Sequence, residues 1–398
     1  MKTLPKLLLI FFIIFLFSII IGEGYLLFSN KGSCPLNFCY LNSSQSESES
    51  ELEKIRNIEK QAKKIEEIQI TGWIPDWDFQ DGFNSLRTQK DTFSSISPFW
   101  YDLNEDGSLE PNASTNNEEF IQFVKNNNIE LIPTITTFNA DTLSSMLNSI
   151  EYREKHLNEI IQIVTRNNYD GIDLDYESVY LDDDELFYNF LETLALILHE
   201  NNKKLVFTAV SKWGEEDILY TTLPQTRKTF DYKRLAKITD ELRIMTYDYT
   251  NRTSIYYGPV SPIAWVEDVI RYAIYVGVPR EKLVIGIPTY AFDFTERPAL
   301  PKIEYYPVLY MRTGENLKEA SAYYYDEIKK VTAAYDFEVE FNDYWGEAIG
   351  KYTNDNDENH IVVFQNQESI DLRKKLAADY GIKGVTYWRI GDEVDLRY

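Results

Sequence analysis

The chain has 398 residues, room for one large domain with appendages, since an α/β barrel by itself takes about 250. Hydrophobic residues make up 44% and aromatics 15%, with 29 Tyr, 22 Phe and 7 Trp, a globular composition with more ring surface than a core usually requires. The formal net charge of -24 argues against nucleic acid as a partner, because that binding rests on Lys and Arg displacing counterions. The same charge suits a soluble, self-repelling monomer.

At the N-terminus, Lys2 and Lys6 precede a nearly unbroken apolar run from Leu7 to Ile21, and apolar character resumes from Tyr25 to Phe28. A membrane span takes ~20 residues, whereas a signal-peptide core takes ~7–15 and ends at a small-residue cleavage site. Residues 1–30 therefore predict an uncleaved transmembrane anchor. The lysines before it put the body on the extracytoplasmic side. Secretion after cleavage is the alternative, and Glu23 within the run counts toward it. Just beyond, Cys34 and Cys39 can close a local disulfide in an oxidising compartment, but two thiols do not make a four-ligand zinc site. No metal or other cofactor is expected.

Residues 31–66 read as a linker and a short helix. The Ser- and Glu-rich stretch from Asn42 to Glu51 is too polar to fold, and Leu52 to Ile68 has apolar residues at helical spacing. From residue 67 to 398, short apolar runs alternate with helical segments, the pattern of a parallel sheet wrapped by helices. The runs are Ile70 to Pro75, Ser95 to Tyr101, Glu130 to Thr136, Gly171 to Tyr176, Leu205 to Val210, Leu242 to Tyr247, Leu283 to Thr289 and Gly384 to Trp388. Eight such units predict a closed (β/α)8 TIM barrel, with its chemistry at the C-terminal ends of the strands. Residues 290–383 include a small α+β insertion between strands 7 and 8: a helix near Glu319 to Ala334, then strands at Phe337 to Phe341 and Ile361 to Gln365. The Leu52 to Ile68 helix is expected to cover the gap left where a last barrel helix would lie.

The sharpest feature is Asp170-Gly171-Ile172-Asp173-Leu174-Asp175-Tyr176-Glu177. Side chains alternate along a strand, so Asp173, Asp175 and Glu177 face one way and Ile172, Leu174 and Tyr176 the other. Three carboxylates in a column beside a low-dielectric interior cannot all ionise comfortably. The outermost, Glu177, is then the group to hold a proton as a general acid. A calcium site would want a turn-forming Gly between its ligands in place of Ile and Leu.

This stretch resembles the signature of family-18 glycoside hydrolases, the chitinase and spore-cortex hydrolase group. Met245-Thr246-Tyr247-Asp248 is similar to that family's Met-x-Tyr-Asp, and Trp388 stands where the reactive sugar stacks. The run from Gly258 to Val266 resembles the peptidoglycan-directed, spore-associated branch. The likeness spans roughly Ile68 to Val394; it departs at Asp392-Glu393, where the family usually has Glu then Asp.

The resemblance implies a glycosidase acting on a β-1,4-linked polysaccharide that contains N-acetylglucosamine, chitin or peptidoglycan, by substrate-assisted retention. Glu177 would protonate the glycosidic oxygen while the substrate's acetamido oxygen attacks the anomeric carbon. Asp175 would orient the acetamide, Asp173 would share protons behind it, and Tyr247 would donate to the acetamide. Trp388, Asp248, Met245, Tyr290 and Trp100 would line the sugar groove; the alternatives are core packing for Trp388, capping of the next segment for Asp248, and rim packing for Tyr290 and Trp100. One feature of the sequence agrees independently: Leu283 to Tyr290 carries no acidic residue to act as a second-strand nucleophile. His156, His199 and His360 read as structural. A non-catalytic glycan-binding protein on the same barrel is the rival reading, and a barrel that only spaces envelope partners is a third.

Overall fold

A computed structural model describes residues 68–214, 229–295, 297–299 and 319–391. The expected membrane segment, the Cys34–Cys39 pair and nearly all of the expected Leu52 to Ile68 helix lie outside those residues, as does the gap-covering role given to that helix. Among the described residues no helix is long and apolar enough to cross a membrane.

Eight parallel strands close on themselves: β1 Gln69–Ile74, β2 Ser95–Leu103, β3 Thr134–Thr137 with a short lead-in at Glu130–Leu131, β4 Gly171–Tyr176, β5 Lys204–Val210, β6 Glu241–Met245, β7 Leu283–Pro288 and β8 Gly384–Trp388. Closure is made by β1, which pairs with β8 on one side and β2 on the other. The eight apolar runs of the sequence each fall on one of these strands, as a strand buried on both faces requires.

Alternation sorts the side chains. On β4, Ile172, Leu174 and Tyr176 join the apolar layer between barrel wall and helices, while Asp173 and Asp175 turn to the interior. The helices are set by local signals. Asn117 accepts from the Phe120 amide at the start of Glu118–Asn126, and Ser149 from the Tyr152 amide at the start of Ile150–Arg166. Gln367–Tyr380 ends at Gly381 in the left-handed conformation (φ 60°).

Between β7 and β8 in sequence lies an antiparallel sheet. Its five described strands run in the order Ser321–Tyr323, Ala291–Thr295, Asn359–Phe364, Glu347–Thr353 and Glu338–Asn342. The helix expected from Glu319 starts only at Tyr325, because Ser321–Tyr323 pairs with Ala291–Thr295 instead. A buried ion pair, Arg373 Nη2 to Glu347 Oε1 at 3.2 Å, fastens this sheet to the barrel. Glu347 also accepts from the amides of Val260 (2.9 Å) and Ser261 (2.6 Å), in the segment that follows β6.

Candidate active site

The three carboxylates of β4 form a column into the barrel mouth. Asp173, fully buried, accepts hydrogen bonds from Trp73 Nε1 on β1 (2.8 Å), Thr134 Oγ1 on β3 (2.9 Å) and Thr208 Oγ1 on β5 (2.9 Å). Arg243 Nη1 on β6 stands 3.6 Å from it. Asp175 is also buried, yet its Oδ1 meets no donor. Burial first, then the like charges of Glu177 and Asp173, push the Asp175 carboxyl well above the ordinary carboxylate range. Glu177 is half-buried at the mouth. Its amide still donates to Thr137 O (3.2 Å), so the β4 register persists to this residue.

Tyr247 follows β6 and faces the same column. Burial and then the nearby Asp175 and Glu177 raise its phenol well above the ordinary value, so it stays a hydrogen-bond donor. A Cβ at Gly286 would come within 2.7 Å of the Tyr247 ring, so glycine on β7 is what lets the ring lie against that strand. The next residue, Asp248, takes a left-handed backbone (φ 59°) and is exposed. Tyr290, just past β7, donates to Asp248 Oδ1 and packs edge-on to Tyr247 at 6.3 Å. Met245, half-buried, precedes this pair on the inward-facing phase of β6 that also carries Arg243.

Trp388 ends β8 half-buried, and its peptide bond to Arg389 is cis. Three rings surround it: Phe99 at 5.0 Å, Trp73 at 6.0 Å and Trp77 at 6.4 Å. Trp77 is 66% exposed, leaving a ring on the rim beside Trp388, and Phe138, immediately after β3, is 60% exposed.

Trp100 requires correction. It is fully buried outside the barrel wall, against Phe120 (5.8 Å) and Tyr169 (5.7 Å), where no sugar can reach it. The inward ring of β2 is its neighbour Phe99. Two by two counting from Ser95 and Ser97, whose hydroxyls meet Arg243 inside the barrel, already assigns these faces.

Residues the sequence reading passed over complete the site's support. Thr134 and Thr208 hold Asp173, and Arg243 links it to Glu241 through Nε at 2.6 Å. Glu241 in turn pairs with Lys383 at 2.6 Å. Burial alone would strip charge from both Arg243 and Glu241. Their mutual attraction, helped by Asp173 for the first and Lys383 for the second, overcomes it and keeps both ionised. The signal was the same alternation seen on β4, in Glu241-Leu242-Arg243-Ile244. The histidines are structural. His156 is buried between Gly107 O and Tyr176 Oη, His199 pairs with Asp240 on the surface, and His360 pairs with Asp293 in the inserted sheet.

Comparison with known proteins identifies the family. A family model described as glycosyl hydrolases family 18 matches residues 92–393. A cortical fragment-lytic enzyme of Bacillus anthracis is 27% identical over 319 residues, 77% of this chain and 67% of that protein. An uncharacterised glycosylase of Bacillus subtilis, YvbX, is 20% identical over 320 residues, 78% of this chain and 84% of its own. Among solved structures, the Bacillus cereus spore cortex-lytic enzyme SleL superposes with a TM-score of 0.69 at 22% identity, covering 82% of this chain and 71% of that one. The Group IV chitinase of Ostrinia furnacalis in complex with allosamidin gives 0.65 at 18%, covering 82% and 93%. The chain is a glycoside hydrolase and belongs to family 18 of the glycosyl hydrolases.

Proposed function

We propose that this enzyme cleaves β-1,4-linked polysaccharide containing N-acetylglucosamine, with retention and with the substrate's own acetamide as nucleophile. The observation that carries the reading is Asp175: a buried carboxyl with one oxygen free of donors, flanked by Glu177 and Tyr247. A carboxyl so placed can orient an acetamide N–H and then stabilise the cation formed from it.

In the first step Glu177 gives its proton to the glycosidic oxygen as the acetamido oxygen bonds to the anomeric carbon and the leaving sugar departs. Tyr247 donates to the acetamide oxygen, and Asp175 faces the resulting oxazolinium. In the second step Glu177, now a carboxylate, takes a proton from water as that water opens the oxazolinium with net retention. Trp388, backed by Phe99 and Trp73, is the stacking floor for the reactive sugar. Asp248, Tyr290 and Met245 complete the wall. The absence of an acidic residue from Leu283 to Tyr290 fits a substrate that brings its own nucleophile. Chitin and peptidoglycan both present the required unit, and the relatives' names include both chitinases and cortex-lytic enzymes.

We further read the protein as a monomer held to a membrane by residues 7–28, with its barrel outside the cytoplasm. Recovery of full-length protein in the soluble fraction of lysed cells contradicts the anchor.

The test compares wild type with Glu177→Gln on N-acetylglucosamine oligomers and purified peptidoglycan. Loss of a general acid predicts a fall in kcat of about 10²–10⁴-fold with binding retained. Binding without turnover in either protein favours the glycan-binding alternative.

A further inference from the structure

Just below the mouth, β2 departs from strict alternation. Against β3 it pairs Phe99 with Thr134, then Tyr101 with Ile135 and Asp102 with Thr136, so one extra residue, Trp100, is fitted into β2. Ser95, Ser97 and Phe99 face the interior, and counting on by twos would bring Tyr101 in and turn Asp102 out. The bulge reverses both. Tyr101 joins Trp100 in the outer layer, where its hydroxyl meets that of Tyr169 at 3.1 Å. Asp102 turns inward and accepts from Thr136 Oγ1 at 2.6 Å. Bulges are over-represented beside active sites, where they re-aim a side chain.

The side chain aimed in this way lies level with Asp175. Thr136 is the register partner of Asp175 on β4 as well as of Asp102 on β2, so Asp102, Thr136 and Asp175 form one row across three adjacent strands. Two strand spacings separate the ends of that row by about 10 Å. Asp102 is therefore too far to touch the acetamide held at Asp175 and near enough to meet the sugar next to it. Asp175 is buried with Oδ1 open toward the mouth, whereas Asp102 is exposed, with Thr136 on its Oδ1. Among the described residues no lysine, arginine or histidine forms an ion pair with Asp102. Directly opposite it, on the short strand Leu109–Pro111, stands a second exposed carboxylate, Glu110. Like charges so placed in a sheet are destabilising, and here they give the groove beside Asp175 a negative charge that the described fold leaves unneutralised.

We propose that Asp102 is a specificity-determining residue, which favours a sugar bearing a free ammonium beside the reactive N-acetylglucosamine, so that the preferred chain is partly de-N-acetylated. The inference rests on the hydrolase reading above and narrows it. The reacting unit must keep its acetamide, because that group is the nucleophile. Its neighbour is under no such demand: glucosamine presents a cation to the Asp102 carboxylate, N-acetylglucosamine a neutral amide, and a muramyl lactyl group an anion.

The experiment measures kcat/KM per cleavable bond for the full-length protein on two soluble oligomers of equal length. One is fully N-acetylated; in the other, N-acetylglucosamine alternates with glucosamine. The pH is mildly acidic, so that the amine is protonated. Wild type should favour the alternating oligomer by about 2–5-fold, the scale of one solvent-exposed ion pair. High salt should shrink that preference. Asp102→Asn keeps an oxygen for the Thr136 hydroxyl but removes the charge, and should lose most of the preference. Asp102→Glu keeps the charge and should keep the preference. Each ratio is taken within one protein, so a loss of folded material cancels. A wild-type ratio of one or less overturns the proposal, as does a preference that survives in Asp102→Asn or is lost equally in Asp102→Glu. Turnover of peptidoglycan alone overturns it too, because lactyl groups flank the reactive unit there. A wild type that hydrolyses neither oligomer nor purified peptidoglycan overturns the hydrolase reading and this inference together, whereas equal hydrolysis of both oligomers overturns the inference alone.

Discussion

Trp73 and Asp173, one hundred residues apart, are joined across the barrel by a 2.8 Å hydrogen bond from the indole nitrogen to Oδ2. The bond crosses between strands that are not neighbours, so it ties the site to the closure of the whole barrel. Trp73 thereby does two things, donating to the innermost carboxylate while its ring backs Trp388 at 6.0 Å.

Replacing Trp73 by Phe keeps a ring and removes the donor. A hydrogen bond to a charged acceptor contributes about 1.5–3 kcal/mol, so Trp73→Phe should lose that much stability in urea unfolding, with a lower kcat. Unchanged stability together with unchanged kcat would show that the bond supports neither.

Asp175 predicts a conflict between activity and stability. Its folded-state carboxyl sits well above the unfolded value of 3.8, because of burial and then Glu177 and Asp173. Above pH 3.8 the folded protein therefore binds more protons at this site than the unfolded chain, and stability falls as pH rises toward the folded pKa. Asp175→Asn carries no charge at any pH. It should abolish turnover yet stabilise the fold at neutral pH, on the order of 1 kcal/mol, with the gain vanishing in acid. A neutral-pH melting temperature below that of wild type contradicts this.

His156 has the opposite pH signature. Burial holds its folded pKa at about 4, against 6.5 unfolded. Between those values the unfolded chain takes up a proton that the folded protein refuses, so stability is lost as pH falls from 6.5 to 4. At full burial the loss is about 3 kcal/mol. His156→Gln lacks this titration, so the stability gap between wild type and variant should narrow by that amount over the same interval. A gap independent of pH would mean that His156 is protonated in the fold.

The Glu347–Arg373 pair predicts a large single-site effect. Arg373→Met leaves the Glu347 carboxylate buried without its cation, held by the Val260 and Ser261 amides and by Gln365, and should destabilise by about 3–5 kcal/mol. Glu347→Gln/Arg373→Met removes both charges and should recover most of the loss. Equal destabilisation in single and double variants argues that packing, not charge, fixes the segment after β6.

What the sequence made legible was whatever repeats with a short period. The eight barrel strands stand out as apolar runs bounded by polar segments, and the Asp173, Asp175 and Glu177 column follows from a period of two on one strand. Trp100 was misassigned because Phe99-Trp100-Tyr101 is uniformly aromatic, and its parity is fixed only by Ser95 and Ser97 upstream. A register irregularity between Phe99 and Tyr101 further blurs the alternation. Arg243 obeys the same period as Asp173, but its meaning depends on partners on three other strands that sequence spacing does not connect. In the insertion, Glu347–Thr353 is a mostly buried interior strand with Gly350 at its middle. That glycine makes room for the Phe337 ring, whose nearest carbon lies 2.0 Å from where a Cβ would stand. A glycine weakens strand propensity locally and is explained only by the neighbour it accommodates.

The most direct test of the central claim is inhibition of N-acetylglucosamine-oligomer hydrolysis by a thiazoline that mimics the oxazolinium. Substrate-assisted cleavage predicts competitive inhibition in wild type, with the tight binding weakened in Asp175→Asn and Tyr247→Phe. Turnover indifferent to the thiazoline, together with a trapped covalent glycosyl-enzyme, would contradict it and require a carboxylate nucleophile.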